Sequence, residues 1–408
     1  MDERVAAVAT LLTIGHGTDY ALNVARYFSS FSKYATLCGS NPDPEELKKR
    51  NLVLLPSSKI KEAEKICREC DEKNITVISF FDPSYPNNLK QIEDPPMVLF
   101  TRGLPLPDFD SKPSITMVGT RDAKKEYLKY AAINAFSLAV LGFTVVSGFV
   151  SGIDSYSLKG ALFAGGKTVS VFPCGVDVTP GQLDPTLESV LLKYGTILSE
   201  YPPRTPVRAW QYARRNRILS GLTQSTLVVE AGIESGAMST AEYALDQGRT
   251  LYAVPDGPYE PRSEGSNFLL RNGGVLASSF LDIVADYNQK YGYDINPEAH
   301  KERLSKGFNS SPSIIIPKDI EDKNKKIKAE KSEKKPDASP KEPSVVPDSP
   351  LDEKEKQALE ILRSSHVTAD GLCDALGWGF LESVETLGSL VNKGYATEGA
   401  GGVYVICK

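Results

Sequence analysis

From Ser114 onward the chain repeats one pattern. A run of four to six residues, mostly apolar, stops at a glycine or a polar turn, and a longer stretch with helical spacing precedes the next run. The runs are ITMVG (115–119), FTVVSG (143–148), KTVSVFP (167–173), TILSE (196–200), STLVVE (225–230), RTLYAVP (249–255) and GVLA (274–277). Apolar residues at consecutive rather than alternate positions mean that both faces of each strand are covered. Strands of that kind, alternating with helices, specify an α/β fold: a parallel sheet with helices on both faces. The intervening helices are expected over a long run ending at Leu141, over GIDSYSLKGALFAGG (152–166), and around 186–193, 209–220, 236–247 and 266–272.

The flanks read differently. Residues 1–100 are predominantly helical, with VAAVATLL and YALNVARYF around a GHG turn and further helical stretches at 44–50 and 57–72. The turn resembles a helix-hairpin-helix element in outline, but a simple packing turn explains it better. ITVISFF is strand-like, and DPSYPNNL is a proline-fixed turn leading to an extended PPMVLFTRG. Residues 291–350 read as a flexible charged linker. Between Lys318 and Lys341 they carry nine Lys against six Asp or Glu, too little apolar surface to offset the entropy of ordering. Residues 351–408 give helix, helix, helix and two strands around a glycine-rich tip, the order of a winged helix. Glu382 and Glu385 on its third helix, with only Lys393 near the end, favour protein contact over phosphate contact. The expected domains are therefore 1–100, helical; 101–290, the sheet; 291–350, linker; and 351–408, winged helix.

Composition narrows the function classes. The net charge of −5 announces no long-range attraction for nucleic acid, although local basic clusters remain open. No stretch reaches the roughly 18 apolar residues of a membrane span, and the start lacks the pattern of a secretory leader, so a cytoplasmic, non-membrane protein is expected. Cys67 and Cys70 have CxxC spacing but sit in an amphipathic helical stretch without a second ligand pair. His16, His300 and His366 form no constellation. No metal or cofactor is expected.

The glycine loops carry the chemistry. Gly119 follows the first strand, with Thr120 and Arg121 entering the crevice at its carboxyl end, where open α/β sheets bind ligands. Gly148 and Gly152 of VVSGFVSGID offer backbone amides to an anion, although tight strand-to-helix turns also explain such glycines. Neither loop completes GxGxxG, which disfavours a dinucleotide. Lys167, Arg214, Arg215, Asn216 and Arg217 supply donors, with Arg214 and Arg217 on one helical face. Ser235, Gly236 and Ser239 open a helix and can present its amides to a phosphate. Glu230 is either a catalytic base with Ser235 or Ser239 as nucleophile, or an anchor for a neighbouring loop. No triad or GxSxG elbow supports the first reading.

These segments in order resemble the bacterial DNA-processing protein A (DprA) family, also called Smf. DPSYPNNLKQIEDPPMVLFTRG, MVGTR, VVSGFVSGIDSYSLKGAL, GTILSEYPPRTP, RRNRILSGLTQSTLVVEAGIESGAMSTAEYALDQGR, YAVP and GSNFLLRNGG cover about 200 residues. The resemblance implies an extended Rossmann-like domain that binds single-stranded DNA without catalysis or a cofactor. It also implies a homodimer that delivers the RecA recombinase to single strands in natural transformation, displacing single-strand-binding protein. By position Gly119, Arg121, Gly148, Gly152, Lys167, Arg214, Asn216, Arg217, Ser235 and Gly236 match the family's DNA-contacting elements. Departures are Ser151 for an arginine, Ser157 and Leu158 for an alanine–histidine pair, a shortened pattern near GVDVTPGQLDPTL, and Asp256 for a glycine. Losing an arginine removes a phosphate donor. The alternatives are a nucleotide hydrolase or phosphoribosyl-transfer enzyme using the same crevice, and a mainly protein-binding adaptor.

Overall fold

The computed structural model describes residues 1–15, 20–40, 42–180, 185–257 and 260–309, and a helix, three strands and scattered further positions within 353–406. The chain divides into two compact units, Met1–Asn324 and Lys325–Lys408.

The first unit opens with helices α1 (Glu3–Ile14), α2 (Tyr20–Ala25), α3 (Phe31–Gly39), α4 (Pro44–Lys49) and α5 (Ser57–Glu72), followed by β1 (Ile75–Ser79), α6 (Asn87–Lys90) and β2 (Val98–Gly103). Gly15 closes α1, and the rest of the GHG turn lies outside the described residues. Then come β3 (Ser114–Val118), α7 (Lys125–Val140), β4 (Thr144–Gly148), α8 (Ile153–Phe163), β5 (Thr168–Val171), α9 (Pro185–Tyr194) and β6 (Thr196–Ser199). The unit closes with α10 (Ala209–Leu222), β7 (Ser225–Val228), α11 (Gly236–Asp246), β8 (Thr250–Ala253), α12 (Glu264–Arg271), β9 (Val275–Leu276), α13 (Phe280–Tyr291) and α14 (Lys301–Asn309).

All nine strands form one sheet in the order β1-β2-β6-β5-β4-β3-β7-β8-β9. From β6 to β9 every pairing is parallel. Successive strand residues feed two different apolar cores: Met117, Val145 and Leu227 point to one side, and Val118, Val146 and Val228 to the other. That double burial is why their sequences read as continuous apolar runs. The chain lays strands outward from β3 to β6, then returns to the other side of β3 for β7 to β9. The reversal makes β3 and β7 neighbours at a topological switch point, where a crevice opens beyond their carboxyl ends.

Two boundaries differ from the sequence reading. Strands β1 and β2 add an antiparallel extension, β2 pairing with β6 through Phe100↔Ser199 to Gly103↔Thr196. Residue 100 lies inside β2, so the sheet continues across the expected boundary and ties the helical segment to it. Glu3 reinforces the tie: its carboxylate accepts the Phe31 and Ser32 N–H groups and the Ser79 hydroxyl. At the other end, Leu304 of α14 is buried beside α7, and Tyr293 and Ile295 pack on the same core. Residues 291–309 are therefore folded onto the sheet and are not linker. Residues 310–352 lie outside the described residues.

In the second unit, α15 (Glu353–Ser364) accompanies β10 (Val367–Thr368), β11 (Ala396–Gly399) and β12 (Val403–Ile406), an antiparallel sheet in the order β10-β12-β11. Ala358, Leu359, Leu362, Leu372, Leu387 and Leu390 form its small core. Lys393 is ion-paired with the buried Glu355 at 2.7 Å. Glu382 and Glu385 lie outside the described residues.

Candidate functional site

A cleft of about 460 Å³ opens at the switch point, lined by the β3–α7 loop, the start of α8, one face of α10 and the start of α11. Its polar lining includes Arg121, Asp154, Tyr212, Arg215, Asn216 and Ser235. The helical pitch explains the α10 contribution, because Tyr212, Arg215, Asn216 and Leu219 recur at spacings of three and four. Arg121 is exposed at the rim, its guanidinium 5.4 Å from the centre of the Tyr212 ring, and Arg215 approaches the same ring at 6.0 Å. Such geometry holds a cation over an aromatic face without neutralising it.

At the start of α11, Ser235 has extended backbone and its hydroxyl accepts the Ala237 N–H at 3.3 Å. Asn216 Nδ2 donates to Ser239 Oγ at 2.8 Å and to the Gly236 carbonyl at 3.2 Å, fixing α10 against that helix end. Gly236 is exposed, and nothing lies within 4 Å of where its Cβ would be. The amino end of this three-turn helix faces the cleft with its partial positive charge.

The two glycine loops are committed to one another. Thr120 N–H donates to the Glu230 carbonyl at 2.7 Å, and Ile153 N–H donates to the Thr120 carbonyl at 3.2 Å. Gly152 has φ +80°, and a Cβ there would stand 2.3 Å from the Thr120 carbonyl oxygen. A Cβ on Gly119 would strike Ile153 at 2.5 Å. Gly148 gives way to side chains: its Cβ would fall 2.1 Å from Arg215 Nη1 and 2.4 Å from Asp154 Oδ2. Arg215 is 3% exposed and donates to the Val171 carbonyl at 2.9 Å. Burial lowers its pKa. Burial pushes the Asp154 carboxyl up to about 7, against the opposing pull of Arg215, the Gly119 and Gly148 N–H groups and Arg121.

Several predicted site residues lie elsewhere. The Arg214 and Arg217 pair occupies the opposite face of α10. Arg217 Nη2 meets Glu200 at 2.7 Å, and Arg214 Nη2 meets Asp94 at 2.8 Å. The counter-charges outweigh burial and raise the Arg217 pKa. Spacing in a sequence shows which residues share a side of a helix, not which side meets the crevice. Lys167 is exposed at the amino end of β5, across the sheet from the carboxyl edges that frame the cleft. Glu230 is fully buried and does not line the cleft. Its Oε2 accepts the Lys124 N–H at 3.0 Å, holding the β3–α7 loop, and burial raises its pKa. For Arg215 the sequence signal is its helical phase with Tyr212 and Asn216. Of the departures, Ser151 is exposed beside the cleft loop, Leu158 is core, and Asp256 accepts from Ser263 Oγ and Lys124 Nζ.

Among the described residues, no group of three or more His, Cys, Asp or Glu side chains is placed to hold a metal ion, and no helix is long and apolar enough to cross a membrane. Cys67 and Cys70 are buried, which pushes their thiols up to about 11 and about 12.

The model of the DNA recombination-mediator protein A family matches residues 63–288, from α5 to α13. The chain belongs to that family. It is 32% identical over 219 residues to DNA processing protein DprA of Bacillus subtilis, covering 54% of this chain and 73% of that protein. The DprA of Streptococcus pneumoniae is 32% identical over 212 residues, 51% of this chain and 73% of that protein. The X-ray structure of DNA processing protein A from Streptococcus pneumoniae superposes with a TM-score of 0.58 at 26% identity, over 70% of this chain and 99% of that one. The matched span of this recombination-mediator family member contains the whole cleft.

Proposed function

We propose that the cleft holds the backbone of single-stranded DNA without covalent chemistry, and that this family member passes single strands to the RecA recombinase in natural transformation. The observation that carries the reading is the convergence of Arg121, Arg215, Asn216 and the amino end of α11 on one open cleft at the switch point. Guanidinium groups and helix-end amides are donors for phosphate oxygens. Contacts of that kind carry affinity but little base information, so binding tolerates any sequence. Arg121, Asn216, Ser235 and Gly236 are the proposed contacts, with Arg215 beneath them. Gly119, Gly148 and Gly152 shape the loops.

The partner surface is read from the outermost strand. Val275 and Leu276 of β9 are exposed, as are Phe268 and Leu281 beside it in the chain. An apolar open edge suits pairing with a second copy. A homodimer formed there, and displacement of single-strand-binding protein, complete the proposed role.

The test is a titration across a salt series with matched single- and double-stranded DNA, comparing wild type with Arg121→Ala. Selective single-strand binding is expected, with the Arg121→Ala salt slope shallower by about one. Equal affinities and slopes for the two proteins would overturn the assignment of Arg121.

A further inference from the structure

We infer that Asp154 is an internal anion competing with bound phosphate for Arg215 and the glycine-loop amides, so that a single strand enters the cleft together with a proton. The inference rests on the reading of the cleft as a single-strand site.

Asp154 is the second residue of α8, 4% exposed, and lines the cleft floor. The missing Cβ of Gly148 is what lets its Oδ2 and Arg215 Nη1 reach that backbone. Its carboxylate therefore stands where an α/β fold of this kind sets a ligand phosphate: against the loops after β3 and β4, with a guanidinium beside it. The groups around it are few. Arg215 and Tyr212 face it from α10, Arg121 and Asp122 from the β3–α7 loop, and Cys174 lies beyond Arg215 after β5. Asp122 is exposed and paired with Arg262 at 3.1 Å, so its charge belongs to the rim.

Two anions within a few ångströms do not both stay ionised in a poorly hydrated site. Burial has already brought the Asp154 carboxyl up to about 7, so a phosphate arriving over Arg215 drives it to the acid form, the proton coming from solvent. The neutral acid leaves the charge of Arg215 to the phosphate. The sign follows from linkage: DNA binds the protonated protein more tightly, hence affinity falls as pH rises through about 7 and beyond, with a limit of tenfold per pH unit for one proton.

The experiment uses the full chain and a thymidine oligonucleotide at fixed ionic strength from pH 6.0 to 8.5. Calorimetry in two buffers of different ionisation enthalpy counts the protons. Wild type is expected to take up no more than roughly three quarters of a proton at pH 7.5, because part of Asp154 is already in the acid form there, and to lose affinity severalfold by pH 8.5. Asp154→Asn is expected to bind more tightly than wild type at pH 8 with a flat profile. The three histidines remain in that variant, so its flat profile isolates Asp154. Strand binding with no proton uptake in wild type overturns the inference and leaves the proposed function standing, as does an Asp154→Asn profile that keeps the wild-type slope. If the variant fails to fold, the wild-type proton count decides alone. Absence of strand binding at every pH removes both readings.

Discussion

At the scale of single residues, the cleft separates positions that tolerate change from positions that do not. A Cβ on Gly148 would meet two charged side chains, and one on Gly236 would meet nothing within 4 Å. Gly148→Ala is therefore expected to lose several kcal/mol of stability, about 3 or more, because Arg215 or Asp154 must leave its buried place. Gly236→Ala at the first turn of α11 should fall within about 0.5 kcal/mol of wild type. Urea unfolding of the two variants checks the contrast, and equal midpoints would remove it. Glu200→Ala should cost about 3 kcal/mol, since it leaves the buried Arg217 guanidinium with Asp94 alone. Titration gives an opposing pair. Asp154, raised to about 7, favours the native state while protonated, so its contribution is full below the unfolded value of about 4 and is lost as pH rises toward 7. Asp256 runs the other way. Burial opposes its ionisation, but hydrogen bonds from Ser263, the Gly257 N–H and Lys124 prevail and hold it at about 2. Its contribution is present above pH about 4 and disappears as pH falls toward 2. Unfolding midpoints from pH 4.5 to 7.5 should show a downward component in wild type that Asp154→Asn lacks, with a steepest slope of about 1.4 kcal/mol per pH unit.

At the scale of elements, the parallel strands were legible because each carries consecutive apolar residues, and the helices between them because their spacing is plain. The antiparallel β1–β2 extension was not. Its two runs look like any others, and only pairing across the sheet, β2 on β6, shows that they belong to it. Helix α3 is short, but FSKYATLCG sets Phe31, Tyr34, Ala35 and Cys38 on one buried face, and its Ser30 cap, accepting from the Lys33 N–H, is a further readable signal. Helix α10 marks the limit most sharply. Its periodicity places Arg214 with Arg217, and Tyr212 with Arg215 and Asn216, yet the choice of which set faces the cleft is made by Asp94 and Glu200, contributed by distant segments. The cleft was legible as glycine loops plus arginines, and its inner wiring was not, because the Asp154 carboxylate beneath Gly148 is a tertiary placement.

At the scale of the whole molecule, the sheet ties the amino-terminal helices and the cleft into one unit. Glu3 bonded to Ser79, and β2 paired with β6, couple segments far apart in sequence. Hydrogen exchange is expected to show α1 and α5 opening with the central strands rather than ahead of them, which deuterium uptake followed by mass spectrometry measures. The proposed second copy at β9 makes a further prediction: Leu276→Glu should shift the protein toward monomer in sedimentation, with the far-ultraviolet spectrum unchanged.

The buried pairing of Arg217 with Glu200 and Asp94 also bears on how kinship is read. Half of the RRNR signature is scaffold. A descendant that had abandoned nucleic acid altogether would still keep Arg217 to remain folded, and a search by that signature would count it as a binder. Arg121 is under no such obligation, so its presence or loss across a lineage is the better record of whether the ancestral ligand is still in use.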